Sequence, residues 1–376
     1  MIVIKVGIIV LNWFYSLLKL LPVQNKITYI SRQMNTIPQD FQLIIDNFSK
    51  KDKSFKHIVL AKRIPSHMVG KLLYCFHIFI QMYHIATSKA VLLDTYCIPV
   101  SILKQRENLI VIQLWHALGA FKKFGYSILD QKEGSSSKIA KTMKMHYNYT
   151  YVLSSSEYAS HFFAEAFHVD ESKVLIYPLP KTDLLLNSEL KESIIKKIYN
   201  RYPILNNGKR TIVYAPTFRK DTEDNLKDGI MKLINKIDFN NYNFVLKKHP
   251  LTEFVINDDR IIEEHDFSSL EFFHVADCII TDYSASLFEA SLLNKPIYFY
   301  AFDYEEYMQG RNFYFDYKTM VPGKICYNAD ELVNELENVE FNYDRLREFN
   351  ELMIKKPKLS YTDDFVDFLI QKLKEE

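Results

Sequence analysis

Glycine is scarce in this sequence, 9 of 376 residues, and none falls in a GxGxxG or GxxxxGK[ST] arrangement. A dinucleotide fingerprint and a P-loop both need such glycines to bring backbone against phosphate, so neither is expected. Cysteine is scarcer still. Cys75, Cys97, Cys278 and Cys326 are widely spaced with no CxxC pair, which argues against a disulfide framework and a zinc site and for a reducing compartment. Charge of one sign is also missing: 47 Lys and Arg against 46 Asp and Glu leave a formal +1, so there is no global pull toward nucleic acid, and any basic preference is local. Repeats and low-complexity tracts are absent. What is plentiful is aromatic, with 25 Tyr and 27 Phe, on a chain long enough for two domains with their own cores.

The first 21 residues, MIVIKVGIIVLNWFYSLLKLL, are apolar apart from Lys5, Asn12, Ser16 and Lys19. On a helix those four fall within about a sixth of the circumference. A polar stripe of this kind suits a helix lying in the lipid interface with the stripe toward water, and Trp13 and Tyr15 suit that depth. A spanning anchor and a helix buried against the domain are the alternatives. Pro22 ends the segment.

From Lys26 onward short apolar runs alternate with amphipathic ones, the pattern of parallel α/β sheets. Strands are expected at 26–31, 57–60, 90–93, 108–114, 149–154 and 174–177. A polar stretch at 185–208 then marks a domain boundary. Further strands follow at 211–214, 244–246, 260–263 and 278–281. The stretch Cys278 to Tyr300 reads as strand, polar turn, helix and strand, one βαβ unit whose turn, Thr281 to Ser286, suits an anion. Three strands of this half end in polar turns: Thr217 with Arg219, Lys247 with His249, and Thr281 with Ser284. Along one edge of one sheet they would bind a nucleotide diphosphate. Glu289 would reach a sugar hydroxyl from the helix after the last turn, and Arg311 would face phosphate or pair with a carboxylate. In the first half, the strand at 108–114 delivers His116 to a carboxyl end, where a neutral imidazole can take a proton from an attacking hydroxyl. Lys122, Lys123, Lys138, Lys141 and Lys144 make this the most basic region, fit for an anionic lipid surface, an acceptor diphosphate, or plain solvation.

Five motifs in order, Leu114-Trp115-His116, Tyr214-Ala215-Pro216-Thr217-Phe218-Arg219, Lys248-His249-Pro250, Thr281-Asp282-Tyr283-Ser284 and Phe313-Tyr314-Phe315-Asp316-Tyr317, resemble the CDP-glycerol glycerophosphotransferases of teichoic acid synthesis. The resemblance covers most of the chain from about Lys26. It implies the GT-B architecture: two Rossmann-like domains facing a central cleft, residues 23–190 on the acceptor side and 205–376 on the CDP-glycerol side, preceded by a membrane-associating helix at 1–22.

The resemblance also implies roles. His116 would be the general base, with Ala117, Leu118, Gly119 and Ala120 lining the site. Pro216, Thr217, Lys247, Lys248 and His249 would contact CDP-glycerol, with His249 at the diphosphate. Ser284, Ala285 and Glu289 would hold phosphate and ribose. Lys181 stands where the polymerases carry Arg, keeping the charge without the bidentate fork. Ala117 and Ala285 replace the glycine and serine usual in polymerases, and the run WHALGAFKKFG, with no long N-terminal extension, is more similar to the primase branch. The implied reaction moves glycerol phosphate to a sugar hydroxyl of an undecaprenyl-diphosphate-linked ManNAc-GlcNAc disaccharide at the cytoplasmic leaflet of the cell membrane, releasing CMP. Alternatives are a CDP-glycerol or CDP-ribitol polymerase, a capsule polyol-phosphate transferase, a nucleotide-sugar glycosyltransferase of the same fold, and an inactive membrane scaffold. No DxD pair stands in a loop, which fits catalysis without metal. No cofactor is implied, and self-association is left open.

Overall fold

The computed structural model describes residues 2–219, 222–309 and 312–375. The chain divides into two units, Met1–Leu118 with Phe124–Asp183 and Lys355–Glu376, and Gly119–Lys123 with Leu184–Ile354.

In the first unit β1 (Lys26–Ser31), β2 (Lys56–Ala61), β3 (Ala90–Leu93), β4 (Ile110–Gln113), β5 (Tyr151–Ser154) and β6 (Val174–Ile176) form one sheet in the order β2-β1-β3-β4-β5-β6. Every pairing is parallel. Helices pack both faces of such a sheet, so its inner strands are apolar runs without alternation, and β1, β3 and β4 are buried at every position. In the second unit β7 (Arg210–Tyr214), β8 (Tyr242–Leu246), β9 (Ile261–Glu263), β10 (Cys278–Thr281), β11 (Ile297–Tyr300) and β12 (Ile325–Cys326) run in the order β12-β11-β10-β7-β8-β9, again all parallel. Ile212, Phe244 and Ile280 from this sheet pack with Ile230, Leu233 and Leu332 from its helices. Truncating one such residue, Ile280→Ala, costs about 2–5 kcal/mol in lost burial and cavity. Strand order reverses between β1 and β3 in the first unit and between β7 and β10 in the second. Those reversals open crevices at the strands' carboxyl ends, where α/β sheets hold ligands.

Two expectations need correction. The second domain does not run to the end of the chain: the helix Tyr361–Glu375 packs on α2 (Gln39–Lys51) of the first unit. Its apolar face buries Phe365, Val366, Leu369 and Leu373. Lys51 pairs with Asp363 and Asp367, each at 2.7 Å. The Asp183 carboxylate caps its start, accepting from the Tyr361 and Thr362 amides at 2.9 and 2.8 Å and from the Thr362 hydroxyl at 2.6 Å. The helical period of residues 362–374 was visible in the sequence, but the partner of its apolar stripe was not.

The second correction concerns α1 (Ile2–Leu18). Its polar stripe is divided: Lys5 and Ser16 are exposed, while Asn12 and Lys19 turn to the protein. Asn12 donates to the Ile102 carbonyl at 3.0 Å and accepts from the Lys104 amide at 2.8 Å, and Lys19 donates to the Lys104 carbonyl at 2.9 Å. These backbone groups, at and just beyond the end of the short helix Ile98–Ile102, have no ladder partner, and Asn12 and Lys19 satisfy them. Tyr15 is fully buried, its hydroxyl 2.6 Å from Gln105 Oε1. Outward lies the apolar face: Ile2, Val3, Val6, Ile9, Val10, Trp13 and Leu17. Beside it packs α3 (Met68–Thr87), with Phe14 edge-on to Phe79 at 5.2 Å. Met68, Val69, Leu72, Leu73, Phe76 and Ile80 of α3 are exposed as well. Among the described residues no helix is long and apolar enough to cross a membrane.

Candidate active site

In the first unit the chain leaves β4 through Leu114 into a Trp115 held at φ 65°, a left-handed conformation unusual for a bulky residue. Two contacts hold it there: the Trp115 amide donates to Gln113 Oε1 at 3.0 Å, and the indole stacks on Phe124 at 4.6 Å. The sharp turn presents His116 at the carboxyl edge, exposed, with its ring 4.1 Å from that of Trp115. His116 Nδ1 lies 3.2 Å from the Asp94 carbonyl oxygen. A carbonyl only accepts, so Nδ1 carries the proton and Nε2 keeps its lone pair. Desolvation holds the imidazole below its ordinary pKa; the Asp94 carbonyl opposes this and the Lys181 ammonium adds to it. Lys181 Nζ donates to the His116 carbonyl at 2.9 Å, while its amide donates to Asp40 Oδ1 at 2.7 Å. Asp40 at the start of α2 and Asp94 after β3 thus stand at the reversal between β1 and β3, both buried. Burial pushes the Asp94 carboxyl up to about 6, opposed in part by Ser31 and Thr95. Neither carboxylate was singled out in the sequence, where an Asp after an apolar strand looks like any turn residue.

In the second unit β8, β7 and β10 are neighbours, so the three polar turns do lie along one edge. The structure separates their residues into two groups. Arg219, Lys248, Thr281 and Asp282 direct their polar atoms at the protein itself. Arg219 is 4% exposed and donates through Nε and Nη2 to both Asp303 carboxylate oxygens, at 2.6 and 3.1 Å, through Nη2 to Asp282 at 2.9 Å and through Nη1 to the Thr217 carbonyl at 2.7 Å. Its guanidinium also lies over the rings of Tyr283 and Tyr307. Asp282 accepts from the Thr217 amide at 2.9 Å, and Thr281 Oγ1 donates to the Ala215 carbonyl at 3.0 Å. Lys248 is buried against Glu263 and the Phe254 carbonyl. These side chains tie the turns to one another.

The other group, Pro216 and Glu289 apart, is half-buried or more open. Thr217 Oγ1 has no partner among the described residues. The Ser284 and Ser286 hydroxyls sit 2.9 Å apart beside Ala285. Lys247 reaches the Glu264 carbonyl at 3.2 Å, its pKa lowered by desolvation against nearby carboxylates. His249 stacks on Phe218 at 5.5 Å, and its Nδ1 accepts the Leu251 amide at 3.2 Å, so its proton is on Nε2. Desolvation and the charge of Lys122 lower its pKa. Pro216 is buried at the end of β7. The helix after β10 is Leu287–Leu292, and Glu289 within it is 7% exposed. Arg311 lies outside the described residues.

Ala117 and Leu118 follow His116 in the first unit, whereas Gly119 and Ala120 begin the segment assigned to the second. Gly119 lies against Phe288, where a Cβ would meet ring carbons at 2.6 Å. Phe121 stacks on Phe313 at 4.6 Å, the Tyr314 amide donates to the Phe121 carbonyl at 3.0 Å, and Lys123 donates to the Asn312 carbonyl at 2.8 Å. Lys122 Nζ rests 5.3 Å from the Tyr307 ring centroid. The aromatic run 313–317 is therefore the partner of the basic segment after His116, a pairing that spacing did not reveal.

A family model described as CDP-Glycerol:Poly(glycerophosphate) glycerophosphotransferase matches residues 13–363. This chain belongs to that family. As a CDP-glycerol glycerophosphotransferase family member it is a transferase of teichoic acid biosynthesis. The chain is 33% identical to a teichoic acid ribitol-phosphate primase of Bacillus spizizenii over 366 residues, covering 94% of each. It is 29% identical to a teichoic acid glycerol-phosphate primase of Bacillus subtilis over 299 residues, covering 78% of this chain and 76% of that one. Among solved structures it superimposes on the wall teichoic acid polymerase TagF with a TM-score of 0.70 at 21% identity, covering 99% of this chain and 96% of the other. At that identity the match speaks for the fold, which is the GT-B type with two parallel-sheet units.

Proposed function

We propose that this family member performs the priming step of wall teichoic acid synthesis, moving glycerol phosphate from CDP-glycerol to a sugar hydroxyl of an undecaprenyl-diphosphate-linked ManNAc-GlcNAc disaccharide. The observation that carries the reading is that the backbone fixes two imidazoles as different tautomers, one in each unit. His116 keeps a lone pair on Nε2 and is the base that takes the acceptor hydroxyl proton. His249 keeps a proton on Nε2 and donates it as a hydrogen bond to the phosphoryl oxygens, where negative charge builds. The acceptor oxygen bonds to the polyol-bearing phosphorus, the bond from that phosphorus to CMP breaks, and CMP leaves with the electron pair. Thr217, Lys247, Ser284 and the amides near Ala285 hold the donor, with Glu289 at the ribose, while Arg219, Lys248, Thr281 and Asp282 keep those turns in place. Lys181 steadies the His116 turn, and Ala117 to Ala120 line it.

A ribitol donor is the second reading, favoured by the 33% identity to a ribitol-phosphate primase over nearly the whole chain. The chain works as a peripheral protein on the cytoplasmic leaflet, with α1 and α3 laying their apolar outer faces into the interface. Residues 1–39 and 53–93 carry Lys, Arg and His but no Asp or Glu, which suits anionic headgroups.

Labelled CDP-glycerol and CDP-ribitol, each offered with a soluble lipid-linked disaccharide analogue, test the proposal. One glycerol phosphate per acceptor is the expected product. Ribitol phosphate alone moves the donor assignment, a long ladder makes the chain a polymerase, and no transfer from either donor overturns the reading.

A further inference from the structure

The crevice where strand order reverses in the first unit is lined by carboxyl groups to which nothing above assigns a role. Asp94 follows β3, beside Ser31 at the end of β1 and Asp40 at the start of α2. Its side chain is 4% exposed, and Oδ1 is buried without a hydrogen-bond partner among the described residues. An unsatisfied buried carboxyl oxygen is destabilising, so a fold that retains one has another use for it. The same residue supplies the carbonyl that holds His116 Nδ1.

We propose that Asp94 is the positioning partner of His116: its backbone carbonyl fixes the tautomer, and its carboxylate supplies the negative charge that stabilises the imidazolium formed when Nε2 takes the acceptor proton. The inference rests on the base role given to His116 above. No covalent bond to Asp94 forms. One proton moves from the acceptor hydroxyl to His116 Nε2 as the new oxygen–phosphorus bond forms, and Asp94 remains a carboxylate throughout. The groups around it fit this division of labour. The Asp40 carboxylate disfavours ionisation of Asp94, the buried Cys97 thiol stays neutral, and the Arg32 guanidinium is engaged by the Tyr96 carbonyl at 2.6 Å. Lys181 turns its ammonium to the His116 carbonyl. The raised Asp94 pKa places its ionisation just below neutrality, so the charge is present at pH 7.

Asp94→Asn tests the idea, because it keeps the backbone carbonyl and the side-chain volume, removes the charge and exchanges one acceptor oxygen for an amide donor. The expected result is a fall in kcat of roughly tenfold to a hundredfold, less than the roughly 100- to 10,000-fold of a general base itself, because Asp94 acts through His116. The KM for the CDP-polyol should stay unchanged and the acid limb of the pH profile should move. The thermal midpoint should be unchanged or higher, since a desolvated carboxylate has been replaced by a neutral amide. In parallel, NMR titration of His116 in the full chain should show its pKa lowered by half a unit or more in Asp94→Asn, a measurement that needs no turnover. An unchanged His116 titration overturns the proposal whether or not the wild type transfers polyol phosphate. Wild-type transfer with an equally active Asp94→Asn overturns it while leaving the function reading intact.

Discussion

Arg219→Ala is the perturbation whose outcome the second unit determines most directly. The side chain joins the turns after β7, β10 and β11 through hydrogen bonds to Thr217, Asp282 and Asp303, and the two carboxylates it serves are themselves 0% and 7% exposed. Removing the guanidinium leaves both charges buried without their cation, a loss of about 3–5 kcal/mol for a broken buried pair. For a unit of this size each kcal/mol moves the thermal midpoint by about 2–4 °C, so the transition should fall by about 6–20 °C. Arg219→Lys keeps the charge but not the planar fork and should fall between the two. Calorimetry resolves the change, and CDP-glycerol binding by titration on the same samples, below their transitions, should weaken only modestly. If Arg219→Ala shifts the midpoint by under about 2 °C while donor binding collapses, the residue touches ligand and the clamp argument is wrong.

Further outcomes follow from the same geometry. His116→Asn should abolish turnover with an unchanged melting curve; wild-type kcat/KM should fall only as pH drops through the depressed His116 pKa below 6.5, because the neutral ring is the base. Trp13→Glu combined with Phe76→Glu should abolish binding to vesicles containing anionic lipid in a flotation assay and spare activity on a short-chain acceptor, since both side chains are exposed. Burial holds His146 down at about 3, so the stability it confers is complete above pH 6.5 and is lost as pH falls from there toward 3. On the order of 4 kcal/mol is at stake. His146→Asn, which tolerates the φ of 60° found there, should flatten that acid loss in denaturant titrations.

Much of this molecule was legible in its residues. The β-branched runs at 26–31, 90–93, 211–214 and 278–281 are strands because they are buried on both faces, and the polar residues after 246 and 281 mark the edge because only turns tolerate them there. His116 could be placed at a strand end for the same reason. What stayed hidden depends on long-range pairing. The stripe Asn12 and Lys19 reads alike whether it meets water or a row of carbonyls, and only the fold shows the carbonyls. Arg219 and Asp282 resemble ligand contacts in a motif, yet Asp303, twenty-one residues beyond Asp282, claims the guanidinium. Asp94 and Asp40 are unremarked in sequence because the switch that brings them together is a property of strand order.

The return of residues 355–376 to the first unit has a consequence for biosynthesis. A ribosome completes β1 to β6 long before it makes the helix that covers α2, so the apolar flank of α2 waits uncovered while the whole second unit is translated. Domains that emerge contiguously can close one after another, but here the earlier half is sealed by a segment made after the whole second unit. A chain stopped before the helix Tyr361–Glu375 would therefore lack a part of the unit synthesised first.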